Sequence, residues 1–484
     1  MNRKKTDILK TTLNTLRKST VFTNSAWGIG SSVAQNLLLS LHFVIIARSY
    51  NTFDFAHFLL ATSIYQFISA ISSLGLGQWF IREYIGNNDT NELTSKFLKF
   101  QILSGLVFYI INVALAFLLY DDFLIKKLAI ILGFNVIFDN LIYAIKNLNI
   151  AEFKQKKTFK ILIIDAALRL LITLVLLFYP FSVVTLSILV IITRFLTLNL
   201  FISIGLPKKL TLKIISRTKI VYKDLKNIIY SNWSFVVIGS VSIIYWRIST
   251  IIISKFLDER AIADYEISFK IFLIAQLVPL ILSSTIFPSI VNHFKDFNRI
   301  IFKKFYARTY LLYSLFSIAA FTFVFSFSEL IIPFAFGETY QGTYKYCIEM
   351  FFTILVFPTA LLQANTLIAL KMERMDMMIN IISLLSYLVM CFTGLYFFKS
   401  LSIVNFSIFI SWIIFHIIQN YILIKKSIIS FRFVIIAYLL TTSLTLIYII
   451  ISTVVNNYVS FLLFWIALGV IVAFNLKKYK NILF

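Results

Sequence analysis

Long apolar runs separated by short charged clusters constrain this chain more than any other feature it has. About fourteen occur, over 22–47, 54–80, 97–119, 124–146, 159–179, 181–204, 228–254, 264–292, 308–332, 346–370, 376–398, 402–424, 432–453 and 457–475. A run of about 20 apolar residues is what a hydrocarbon layer about 30 Å thick requires of a spanning helix. A transmembrane barrel would need strict alternation over about 10 residues, and the stretch from Leu170 to Pro180 does not alternate. Composition agrees: 60% of residues are hydrophobic and 14% charged, against about 25% charged in soluble domains. The expected fold is an all-α polytopic membrane protein.

The net charge of +24 would suit a nucleic-acid binder if the cations shared one polar domain. They do not. With the N-terminus placed in the cytoplasm, 34 of the 45 Lys and Arg fall on inside segments, seven on outside loops and four within spans. That is the positive-inside pattern, and it predicts cytoplasmic N- and C-termini and no nucleic-acid partner. Connections are short, so the activity is expected within the bundle or at its mouths, which argues against an enzyme of the membrane surface.

A basic segment over 207–227 divides six runs from eight. After it comes a Trp-bearing run, a short polar turn and a second run, which repeats the order at the start of the chain. Trp233 aligns with Trp27 and Ser231 with Ser25. Internal repeats of this kind mark many transporters. The expected organisation is two pseudo-symmetric six-helix lobes, 1–206 and 228–425, joined by the 207–227 linker. A terminal helix pair and basic tail follow over 426–484.

Charges inside spanning segments are costly and mark functional sites by default. Arg194 sits near the middle of its run with no acid within a turn. Arg247 lies about 8 residues from its outer end, roughly 12 Å at 1.5 Å per residue, with Tyr245 and Trp246 as a candidate interfacial anchor. Lys270 follows Glu266 by one turn, and Arg169 follows Asp165 by one turn, so each can be neutralised locally. Asp139 is an isolated acid that could bind a proton or pair with Arg194 or Arg169. Arg48 and Arg82 close the first two runs, where boundary cations are common. Prolines at 279, 288, 333 and 358 fall in or at the ends of runs, where they bend helices or line cavities.

Cys347 and Cys391 give no disulfide framework and read as small buried hydrophobes. His42, His57, His293 and His416 are scattered over different runs, so no metal site is expected. No phosphate-binding glycine loop appears, and no cofactor is expected.

The stretch IARSYNTFDFAHFLLATSIYQFISAISSLGLGQWFIREYIGN resembles the opening helix pair of polysaccharide exporters in the MOP (MATE-like) flippase superfamily. YWRISTIIISKFLDERAIADYEISFKIFLIAQLVPLILSSTIFPSI is similar to the seventh and eighth helices of that family, and LIIPFAFGETYQGTYKYCIEMFF to its ninth-to-tenth connection. The resemblance covers about residues 20–425 and is closest to Wzx-type O-antigen and capsule flippases. It implies a V-shaped bundle of two lobes around a cationic cavity in the bacterial inner membrane. It also implies a cargo of undecaprenyl-pyrophosphate-linked oligosaccharide, contact with membrane lipid, and other polysaccharide-assembly proteins as candidate partners.

On that resemblance Arg48, Arg82, Arg247 and Lys270 fall on cavity-lining helices, and Arg194 joins them as a substrate-binding candidate. Asp139, Asp165 and Arg169 are the candidates for ion pairing or coupling. Ser249 stands where relatives often carry an acid, so no coupling role passes to that position. The rival functions are a multidrug or cation exporter of the same superfamily, a membrane polymerase of lipid-linked sugars, and an uncoupled scramblase.

Overall fold

The computed structural model describes residues 20–86, 89–207, 243–295 and 299–478, together with 215, 218, 237, 240 and 241. Helices account for nearly all of it, and no strand occurs among the described residues. Among the described residues, twelve helical segments are long and apolar enough to cross a membrane, so the chain is a multi-pass membrane protein. Two of the fourteen expected spans are not among these twelve. The first part of the run over 228–254 lies outside the described residues, and the last run forms a helix over Asn457–Lys478 of which the apolar part is Asn457–Val470.

The described contacts divide the chain into two compact units, Met1–Ala263 and Asp264–Phe484. The first contains α1 (Thr20–Ser49), α2 (Thr52–Ser72), α3 (Gly77–Gly86), α4 (Thr90–Leu119), α5 (Phe123–Gly133), α6 (Asn135–Ala151), α7 (Gln155–Phe178) and α8 (Val183–Leu200), the last extended by a π turn to Gly205. A further helix, α9, covers 243–256. It packs on this unit: Ser254 Oγ bonds Tyr120 OH at 2.6 Å, and Ser240 Oγ, just before it, donates to Ala70 O at 2.8 Å. Within the unit α1 lies along α7, α4 along α6, and α5 and α6 against α8.

Packing in lipid inverts the pattern of a soluble helix, and α4 shows why. Apart from Phe97 and Leu98, its buried residues are small or polar: Thr94, Ser95, Gln101, Ser104, Gly105, Asn112 and Ala116. Its exposed face carries Leu106, Ile110 and Leu118. Apolar residues gain little by leaving lipid, so close approach of small residues and interhelical hydrogen bonds hold such helices together.

The second expected span is not one helix. It stops at Ser72, turns through Leu74 (φ 50°) and Gly75 (φ 56°), and restarts as α3. Broken backbone at this depth must find internal partners. Ser104 Oγ donates to Ser72 O at 2.5 Å, Gln101 Nε2 to Ser73 O at 3.1 Å, and Asn140 Nδ2 to Ser72 O at 3.3 Å. Gly77 then passes so close to Tyr143 and Asn147 that a Cβ there would overlap both. The fourth span is likewise two helices, α5 and α6, meeting at Phe134.

The second unit contains most of α10 (Glu259–Lys295), then α11 (Arg299–Phe336), α12 (Tyr344–Phe351), α13 (Phe357–Ala369), α14 (Glu373–Phe398), α15 (Leu401–Lys425), α16 (Phe431–Val454) and α17 (Asn457–Lys478). Short 3-10 turns, Glu338–Thr343 and Phe352–Leu355, bracket α12. Pro279, Pro288 and Pro333 lie inside helices. Pro358 instead starts α13, where the missing N–H costs nothing because no intrahelical partner exists for it. The two cysteines are free and buried.

Candidate functional site

Three helices of the first unit converge on one cluster of charge. Asp139 comes from α6, Asp165 and Arg169 from α7, and Arg194 from α8. Arg194 Nε donates to Asp139 Oδ1 at 2.6 Å, and its Nη2 meets the same oxygen. Its Nη1 lies 3.4 Å from Asp165 Oδ2, and Arg169 Nε lies 3.2 Å from that oxygen. Thr197, three residues past Arg194, donates to Asp165 Oδ1 at 2.7 Å. The choice of partner for Asp139 is thereby made: it pairs with Arg194, and Asp165 is shared between the two arginines.

Burial explains the economy of the cluster. The Asp165 side chain is 3% exposed, and those of Arg194 and Arg169 are 15% and 16% exposed. A carboxylate so enclosed is tolerable only when its lone pairs are occupied. The helix spacing supplies one arginine at i+4 on α7, and α8 supplies the other. His42 of α1 adds a further tie, its Nδ1 lying 3.0 Å from Arg169 O; a carbonyl only accepts, so that nitrogen carries the hydrogen.

The other sequence candidates lie elsewhere. Arg48 is exposed in the last turn of α1. Arg82 is exposed on α3, its Nε 3.5 Å from Glu83 Oε1. The platform under Arg82 is fixed by Tyr84, which donates to Glu152 Oε1 at 2.9 Å, and Lys154 Nζ holds the other Glu152 oxygen at 2.7 Å. Burial, and after it the bond to Glu152, pushes the Tyr84 phenol above its ordinary range. Arg247 is partly buried on α9, and Lys270 is partly buried on α10 with Glu266 enclosed one turn before it. Tyr245 and Trp246 are 4% and 7% exposed, so they pack inside the protein rather than anchoring it at a membrane interface.

Sequence reasoning missed two ionisable residues. Lys146 closes the fourth apolar run and reads as a boundary cation, yet α6 continues to Ala151, so it is partly buried within the helix. The signal was present: Asp139 and Lys146 are seven residues apart, two turns on one helix face. Asp376 opens an apolar run and reads as a boundary acid, but it is 5% exposed and takes the Asn380 amide at 3.2 Å. No group of three or more His, Cys, Asp or Glu suited to a metal occurs among the described residues.

The sequence profile of a family described as polysaccharide biosynthesis protein matches residues 45–345. Among solved structures, the chain is similar to the lipid II flippase MurJ in an inward closed conformation. The TM-score is 0.71 at 16% identity, over 94% of this chain and 100% of that one. It is similar to a multidrug resistance MATE family transporter of the MOP superfamily in an inward-facing conformation, with a TM-score of 0.67 at 13% identity over 81% and 94% of the two chains. A MOP superfamily transporter from Pyrococcus furiosus, described for the reverse polarity of its binding pocket, gives 0.58 at 12% identity over 85% and 97%. At these identities the likeness is one of fold. No curated protein matches the sequence.

Proposed function

The chain belongs to the polysaccharide biosynthesis protein family, and from that premise we propose that it is a flippase for undecaprenyl-pyrophosphate-linked oligosaccharide, an O-antigen or capsule repeat unit, in the bacterial inner membrane. The observation that carries the reading is the family match over residues 45–345 of a multi-pass chain. The fold shared with a lipid II flippase supports it.

The proposed mechanism is alternating access, with the lobes 1–206 and 228–425 as moving parts and both termini cytoplasmic. Arg247, Arg194, Lys270, Arg48 and Arg82 draw in the pyrophosphate through charge-assisted hydrogen bonds, which gain strength away from bulk water. The oligosaccharide follows through a hydrated cavity, and the prenyl chain stays in lipid. Asp139, Asp165 and Arg169 hold Arg194 in position.

The test is translocation of a fluorescent undecaprenyl-pyrophosphate oligosaccharide in proteoliposomes containing the purified chain. The protein should accelerate transfer between leaflets, and Arg247→Ala combined with Arg194→Ala should abolish it while leaving membrane insertion intact. Normal surface polysaccharide in cells carrying that double variant would overturn the cationic site. A second reading, export of drugs or organic cations, is favoured by the similarity to a MATE transporter. It requires efflux of a cationic dye by the same proteoliposomes, with no movement of the lipid-linked sugar.

A further inference from the structure

The second unit contains a cavity of about 480 Å³ that none of the cationic candidates lines. Tyr310 of α11, Phe352 of the turn after α12, Phe409 and His416 of α15, and Tyr438 and Ile449 of α16 stand in its wall. The size suits a small organic ligand, for which cavities of about 300–1,000 Å³ are usual. Tyr438 lies 7 residues after the start of α16, and Ile449 lies 5 before its end. The cavity is therefore sunk roughly 10 and 8 Å from the two ends of a spanning helix, at 1.5 Å per residue.

The wall excludes charge. No Asp, Glu, Lys or Arg lines the cavity, and its surface is mostly apolar, so a charged ligand would sit there without a counter-ion and away from water. Phe352 and Phe409 lie 5.7 Å apart, and Tyr310 lies 6.3 Å from His416. Rings in a lining favour a ring-shaped guest through offset and edge contacts.

One wall residue carries a polar atom with nothing to bond. His416 is 1% exposed. Its Nδ1 lies 2.5 Å from Tyr438 OH and 3.3 Å from Asn420 Nδ2, which also reaches Tyr438 OH at 3.3 Å. Gln363 Nε2 donates to Asn420 Oδ1 at 2.7 Å, and this turns the Asn420 hydrogens toward both groups. Tyr438 OH accepts one of them and gives its own hydrogen to Nδ1, so the hydrogen of the neutral ring is on Nε2. Nε2 has no partner among the described residues. Hydroxyls of the wall turn to a backbone carbonyl, as Thr445 does to Thr441 O at 2.8 Å and Thr359 to Val356 O at 2.9 Å. A ring N–H held by bonds to its other nitrogen has no such freedom, and a buried donor left open is costly.

We propose that the cavity binds a neutral, lipid-soluble ring compound bearing a carbonyl, of quinone or aryl-ketone chemistry. His416 Nε2 donates to the carbonyl oxygen, and Phe352 and Phe409 pack on the ring. The open group is a donor, so the ligand must bring an acceptor, and a carbonyl brings one without the charge that the wall rejects. Walls from α11, α15 and α16 meet at the ligand, which thereby joins the first helix of the expected terminal pair to the helices before it. None of this depends on what the protein transports.

The test places the full chain in nanodiscs with benzophenone, a neutral diaryl ketone that inserts into nearby C–H bonds on illumination. Mass spectrometry then maps the labelled residues. Labelling should saturate and should concentrate on the cavity-lining residues of α15 and α16. Fluorenone and fluorene, the same ring skeleton with and without the carbonyl, serve as competitors. Corrected for partition into lipid, fluorenone should displace the label roughly two- to tenfold better, the range of one net hydrogen bond. In His416→Phe, which keeps a ring and loses the N–H, the two should compete equally. That comparison is made within one protein, so a loss of stability cancels. Ile449→Trp should fill the cavity and abolish saturable labelling.

Unsaturable label spread over lipid-facing helices, equal competition in the wild type, or labelling unchanged in Ile449→Trp overturns the site. A fluorenone preference that survives His416→Phe removes the role of Nε2. Displacement by undecaprenyl phosphate that exceeds displacement by fluorenone gives the cavity to a prenyl chain instead, and the ring-carbonyl ligand is then wrong.

Discussion

Two buried polar clusters, one in each unit, are satisfied in different ways. In the first, Asp139, Asp165, Arg169 and Arg194 solve the problem with charge. In the second, Gln363 Nε2 donates to Asn420 Oδ1 at 2.7 Å, Asn420 Nδ2 reaches Tyr438 OH at 3.3 Å, and Tyr438 OH meets His416 Nδ1 at 2.5 Å. These are neutral amides, a phenol and an imidazole. Asp376 takes its contact from the amide of Asn380. A neutral network binds helices together at modest gain. A charged one costs more to bury and far more to break.

The contrast predicts unequal losses. Asp165→Ala removes the carboxylate that Arg169 and Arg194 share and leaves buried guanidinium charge behind. It should destabilise the first unit by about 3–5 kcal/mol, the range for a broken buried pair, read by thermal or denaturant unfolding in nanodiscs. Asn420→Leu removes the central amide of the neutral network and leaves the Gln363 amide without its acceptor, while Tyr438 keeps His416, at about 1–3 kcal/mol for the one buried group stranded. Equal losses for the two variants would erase the distinction between the units.

Replacing both partners sharpens it further. Asp139→Leu combined with Arg194→Met should cost less stability than Asp139→Ala alone, because buried pairs exchanged for apolar residues are often neutral or stabilising. The same double variant should lose translocation. Stability and activity would then move in opposite directions at one site, which a purely structural ion pair would not produce.

The sequence made the spans legible because lipid demands long apolar runs, and it exposed the Asp165–Arg169 pair because one helical turn separates the two. The Asp139–Arg194 pair was legible only as one of several alternatives, because the partners lie on α6 and α8, 55 residues apart. Lys146 and Asp376 were hidden for a different reason. Each sits where an apolar run meets charge, and hydropathy cannot distinguish a helix that ends there from one that continues, as α6 does to Ala151. The break after Ser72 was concealed because Ser104, Gln101 and Asn140, which absorb its free carbonyls, come from other helices.

The smallest effect should appear at helix ends, where the two units ought to behave alike. Asp122 caps α5 by accepting from Ile125 N at 2.9 Å, and Ser430 caps α16 by accepting from Phe433 N at 3.2 Å. One cap is charged and the other neutral, but each satisfies one of the donors that a helix start leaves open. Asp122→Ala and Ser430→Ala should therefore each cost about 1 kcal/mol, and Asp122→Asn should cost only a few tenths, since asparagine caps as well as aspartate. Asp122 has one further neighbour, His57 Nε2, at 3.8 Å from the same oxygen. If Asp122→Asn proves as damaging as Asp122→Ala, charge matters at this end too, and the distinction between the units would extend from their interiors to their helix termini.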